Sequence, residues 1–96
     1  MKTLEHATSV DKYAIKEYLF PKEEIYFSRE EKDEIMIKLK VATIIGNLEK
    51  IKCKIIFQDI VGIKIVETTI WATCEKNIVL KSGILIPIRR IIDIII

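Results

Sequence analysis

A chain of 96 residues carrying 16 Lys and Arg against 14 Asp and Glu makes a single domain of nearly balanced charge, which argues against a binder driven mainly by phosphate electrostatics. Two cysteines are too few for a disulfide scaffold. No apolar run approaches the ~18 residues of a membrane span, and no secretory leader pattern opens the chain, so the cytoplasm is the expected compartment.

Residues 1–27 read as an N-terminal arm, with a loose stretch over 1–10 that contains the only histidine, His6. A short helix is expected from Asp11, as N-cap, to Leu19, ended by Pro21 because the residue before a proline is pushed out of the helical region. Five of the seven aromatics (Tyr13, Tyr18, Phe20, Tyr26, Phe27) fall in this arm, which therefore packs on the rest of the domain or on a second subunit. Residues 28–96 form the main domain. Ser28-Arg29-Glu30-Glu31 is a capping box that starts a long helix, and Glu30, Glu31, Asp33 and Glu34 suit the positive end of its dipole. Ile35, Leu39, Ala42 and Ile45, flanked by Val41 and Ile44, supply an apolar stripe, and Gly46-Asn47 is the expected stop.

The second half is read as strands. Lys50 to Ile55 alternates polar and apolar, and Asp59-Ile60-Val61-Gly62 is a four-residue hairpin loop leading into a long strand, Ile63–Cys74. Pairing Gln58 with Ile63 sets Ile51 opposite Ile70, Cys53 opposite Thr68 and Ile55 opposite Val66, all facing inward. Lys50 then meets Trp71, Lys52 meets Thr69, Lys54 meets Glu67 and Ile56 meets Ile65 on the outer face. A one-residue slip would exchange the two sets. Short strands follow at Ile78–Lys81 and Ile84–Ile86, separated by a Ser82-Gly83 turn. Pro87 ends the second of these and begins a 3₁₀ bend through Ile88-Arg89-Arg90, and Ile91–Ile96 is a last strand. The expected fold class is α+β: an N-terminal helix or helices followed by a five-stranded, strongly bent antiparallel SH3-like or Sm-like small barrel.

Lys52 to Asp93 resembles the Sm-like small barrels, and more narrowly the Rof-type inhibitors of the transcription terminator Rho. The phrases Val66–Thr73 and Ile86–Ile91 are also similar to those of a family of small bacterial proteins. The resemblance implies a helix-plus-barrel architecture and a role in binding RNA or a transcription protein such as Rho. The Cys-Asp opening of the Rof type is absent, and Arg90 is followed by Ile91 where the Sm pattern has glycine, so no residue role carries over from either.

The residues themselves argue against catalysis. His6 has no nucleophile beside it in any recognisable pattern, and no Gly-rich phosphate loop occurs. Cys53 and Cys74 lack metal or redox spacing and are expected to point inward, so no cofactor or metal is anticipated. What remains is binding. The outer lysines Lys50, Lys52 and Lys54, with Trp71 alongside, Lys64 near the hairpin and Arg89-Arg90 at the bend, are the candidate nucleic-acid surface, since small barrels join positive charge to an aromatic platform. A solvated outer face would carry the same lysines. The second possibility is an assembly module without a nucleic-acid role, using the aromatic arm and the apolar last strand. Both exceed what a 96-residue monomer easily buries, and they make a homo-oligomer the expected state.

Overall fold

The computed structural model describes residues 7–26 and 28–96; His6 and Phe27 lie outside the described residues. The described residues are α+β, with one α-helix and strands in two sheets. In order, the elements are β1 (Thr8–Ser9), a 3₁₀ turn at Lys12–Glu17, α1 (Arg29–Glu49), β2 (Cys53–Gln58), β3 (Ile63–Thr68), β4 (Ile70–Thr73), β5 (Asn77–Leu80), β6 (Leu85–Pro87) and β7 (Ile91–Ile95). Two further 3₁₀ turns, Lys81–Gly83 and Ile88–Arg90, flank β6. The first sheet has the order β1-β3-β2-β7 and the second β4-β5-β6.

The expected hairpin register holds along the whole of β2: Cys53 pairs Thr68, Lys54 pairs Glu67, Ile55 pairs Val66, Ile56 pairs Ile65 and Gln58 pairs Ile63. Asp59 closes the loop by accepting from the amides of Val61 and Gly62 at 3.1 and 3.0 Å. The pairs expected beyond Thr68 do not form. At Thr69 the long strand breaks, and Ile70 pairs Leu80 in the second sheet instead of Ile51. Ile51 precedes β2 and is exposed, while Cys74 lies past the end of β4 and is also exposed. Ile56 is fully buried, so the strict alternation of β2 ends there. The bend at Ile88–Arg90 forms where Pro87 predicts it.

The helix begins as expected, with Ser28 as N-cap and both bonds of the capping box with Glu31 present. It does not stop at Gly46. It runs on to Glu49 and is capped by Lys50 in the left-handed conformation, φ 57°. Gly46 is instead the point of closest approach to the sheet: a Cβ there would lie 2.8 Å from the Thr69 methyl and 3.1 Å from the Ile70 carbonyl oxygen. Ile35, Leu39 and Ala42 share this buried side with Gly46. Polar bonds pin both flanks. The Thr43 and Thr73 hydroxyls are 2.8 Å apart, Asn47 Nδ2 donates to Trp71 O at 3.1 Å, and Lys38 pairs with Asp93 of β7 at 2.8 Å.

Of the stretch expected to be loose, Thr8 to Val10 are tied to the sheet. Thr8 and Ser9 run parallel to β3, and Val10 N donates to Ile65 O. The predicted short helix is a 3₁₀ turn capped by Asp11, with Ile15 buried. Tyr18 and Phe20 pack on the fully buried Phe57, their ring centroids 6.3 and 6.1 Å away. Tyr18, Phe20 and Tyr26 thus pack against the core of their own chain, while Tyr13 stays exposed.

The steric fit at Gly46 has a direct consequence. Gly46→Ala would gain up to about 1 kcal/mol of helix propensity, yet it drives a methyl into a buried threonine and a backbone carbonyl. A net loss of about 1–3 kcal/mol is expected in urea unfolding, with α1 displaced from Thr69.

Candidate interaction surface

The seven cationic and aromatic residues of the candidate nucleic-acid surface are distributed over four environments. Lys64 is buried. Its Nζ lies 2.7 Å from Asp59 Oδ1 and 4.6 Å from the centroid of the Tyr18 ring. The ammonium thus ties the hairpin to the N-terminal segment. It is buried because β1 and the first 3₁₀ turn cover β3, which the spacing of apolar residues does not reveal.

Arg90 is also buried and spends its guanidinium internally. Nε and Nη2 donate to the Gln58 carbonyl and amide oxygens, and Nη1 donates to Glu23 O at 2.9 Å. Arg89 Nε donates to Pro21 O at 2.9 Å, and its own carbonyl accepts from Ile25 N. Tyr26 completes this seam by donating to Ile88 O at 2.6 Å; burial raises its pKa, with Glu24 adding to the effect. The two arginines fasten the N-terminal segment to the 3₁₀ bend.

Lys50, Lys52 and Lys54 remain exposed. Lys52 and Lys54 line a shallow groove with Ser9, Asp11, Lys12 and Glu67, where two carboxylates offset most of the three ammonium charges. Lys54 faces Glu67 in register, but among the described residues the two form no ion pair. Trp71, 47% exposed, stands on β4 in the other sheet, and among the described residues no lysine lies over its ring. The groove and the indole do not combine into one cationic platform.

No cluster of three His, Cys, Asp or Glu side chains converges among the described residues. Burial pushes the Cys53 thiol up to about 11, so it stays protonated at neutral pH. No helix of the described residues is long and apolar enough to cross a membrane.

The most conspicuous surface feature lies elsewhere, on the outer side of α1. Ile37, Val41, Ile44 and Leu48 are 63, 42, 58 and 78% exposed. At about 100° per residue they fall within about 60° of one another, on the side of the helix opposite Leu39 and Gly46. Val41 and Ile44, expected to flank the buried stripe, therefore belong to a second apolar face. The signal was present in the sequence: Ile37 and Leu48 extend the spacing of Val41 and Ile44 to 4-3-4. Comparison with protein-family models, with curated proteins and with solved structures returns no match.

The buried ion pair predicts a specific acid response. Burial opposes ionisation of Asp59, but the Lys64 bond and charge together with the Val61 and Gly62 amides outweigh it and lower the pKa. A depressed folded-state pKa means that the unfolded chain takes up the proton first. The stabilisation is complete above the ordinary aspartate range and is lost as pH falls through the folded-state value. Asp59→Asn should cost roughly 3 kcal/mol at pH 7. That gap to wild type should narrow in urea titrations carried out below about pH 4.

Proposed function

We propose that the chain is a non-catalytic protein-docking module built on an SH3-like small barrel, with the outer face of α1 as its docking surface. The barrel reading is supported by the strand order. β7 returns to β2, one long strand bends at Thr69 from the first sheet into the second, and a 3₁₀ turn joins β6 to β7. The docking reading is carried by one observation: a helix already seated on its inner side exposes four large aliphatic side chains in a single stripe on the other. Exposed apolar area of roughly 400 Å² in one patch is comparable to the largest patch of a typical monomer, which is often functional. Such a face recognises shape and hydrocarbon, and it offers a nucleic acid neither charge nor donors.

A second reading, binding of RNA or of an RNA-handling protein such as Rho, is favoured by the groove that joins Lys12, Lys52 and Lys54. It is the weaker of the two because Asp11 and Glu67 share that groove and because Lys64 and Arg90 are committed internally.

Affinity capture from nuclease-treated and untreated lysate separates them. Under the docking reading, proteins retained by the wild-type chain are lost with Val41→Gln plus Ile44→Gln. They are unaffected by nuclease or by Lys52→Glu plus Lys54→Glu. Retention that survives the helix substitutions but is lost with nuclease or with the lysine substitutions would overturn docking in favour of the RNA reading.

A further inference from the structure

Arg89 and Arg90 are neighbours in the 3₁₀ bend, yet they use their donors differently. Arg90 donates from Nε, Nη1 and Nη2 to oxygens of its own chain. Arg89 donates from Nε to Pro21 O, and among the described residues its Nη1 and Nη2 have no partner. Arg89 is half-buried, and these two groups reach solvent, because no side-chain donor among the described residues is both sealed in and unpaired. Arg89 lines a cleft of about 620 Å³, within the size range of small-molecule sites.

The walls of this cleft are tied to one another. Lys32 on α1 pairs with Glu24 of the N-terminal segment at 3.0 Å, and both line the cleft. Ile88 N donates to Lys76 O, which joins the bend to the turn between β4 and β5, and Tyr26 fastens to Ile88 O. A cleft held at its junctions keeps its shape before a ligand arrives. With Lys32 and Glu24 paired, the remaining charges of the lining are Lys22, Lys76 and Arg89 against Glu75. None of these four forms an ion pair among the described residues. Three cations against one carboxylate leave an excess of two positive charges. Met36 and Ile88 give the lining an apolar part.

We propose that the cleft binds a small phosphomonoester, its phosphate held by the Arg89 fork, Lys22 and Lys76 and its organic body against Met36 and Ile88. Two Nη groups in one plane match two oxygens of a phosphate, and a phosphomonoester near neutral pH carries roughly the two negative charges that balance the lining. A carboxylate carries one. Glu24 and Glu75 on the same walls oppose the further phosphates of a nucleic acid, which favours a free small molecule over an RNA end. No residue of the outer stripe of α1 lines the cleft, so this inference and the docking reading stand or fall separately.

Amide chemical-shift titration of the isotope-labelled full chain with phenyl phosphate, phenyl sulfate and inorganic phosphate gives the test. Phenyl phosphate should bind with a dissociation constant on the order of 0.1–1 mM, as expected for an open site and a ligand of this size. The shifts should centre on Lys22, Lys76 and Arg89. Phenyl sulfate has the same shape with one charge fewer and should bind several-fold more weakly, as should inorganic phosphate, which has no apolar body. Affinity for phenyl phosphate should fall below about pH 6, where the phosphate takes up its second proton. Arg89→Lys keeps the charge and loses the fork, and should weaken binding several-fold. Because that change also removes the bond to Pro21, Lys22→Gln plus Lys76→Gln provides a second variant on exposed side chains, with the same loss expected and an unchanged melting temperature. Lys52→Glu plus Lys54→Glu should leave the affinity as it is.

Equal affinity for phenyl phosphate and phenyl sulfate would overturn the dianion as ligand. No saturable shift in the millimolar range would overturn the site, as would binding that survives Lys22→Gln plus Lys76→Gln but is lost with Lys52→Glu plus Lys54→Glu. A 5′-phosphorylated oligonucleotide that binds much more tightly than phenyl phosphate would overturn the free small molecule in favour of an RNA end.

Discussion

The fold turns on one close approach. Gly46 brings the α1 backbone against Thr69 and Ile70 at a distance where no side chain fits, and Thr69 is the residue at which the long strand leaves one sheet for the other. Because the helix sits so near the bend, Leu39 and Ala42 reach the core beneath it, and Thr43 and Asn47 reach hydrogen-bond partners on β4. A glycine in a helix interior costs about 1 kcal/mol of backbone entropy relative to alanine. Here that cost is offset by the packing that the absent side chain permits.

Fixing one side of α1 so firmly also fixes what the other side must do. The inner face is held by apolar burial and both flanks by polar bonds, so the helix cannot roll to hide Ile37, Val41, Ile44 and Leu48. A surface helix ordinarily places charge where these four side chains stand. Their exposure is thus a property of a rigid, fully seated helix rather than of a loosely attached one. Under the docking proposal, this seating would hold the stripe in place before a partner arrives.

Local chemistry made much of this legible in advance. The capping box at Ser28, the Asp59–Gly62 turn, the Pro87 bend and the register from Cys53 to Gln58 all rest on interactions among residues close in sequence or across one tight hairpin. What escaped depends on distant segments. Gly46 reads as a helix stop unless one knows that Thr69 lies against it. Lys64 and Arg90 read as surface cations because their burial is supplied by residues 7–26, whose aromatic content signalled packing but not its location. Ile51 and Cys74 were placed inward by extending a strand that bends at Thr69. The two apolar faces of α1 were merged into one because Ile45, between them, satisfies either spacing.

The inner face of α1 carries the fold, while the outer face carries none of it. Paired urea-unfolding measurements on Leu39→Ala and Ile44→Ala separate the two faces. Leu39→Ala should lower stability by about 2–5 kcal/mol, and Ile44→Ala should stay within about 0.5 kcal/mol of wild type. Equal losses from the two substitutions would mean that the outer stripe is part of the core.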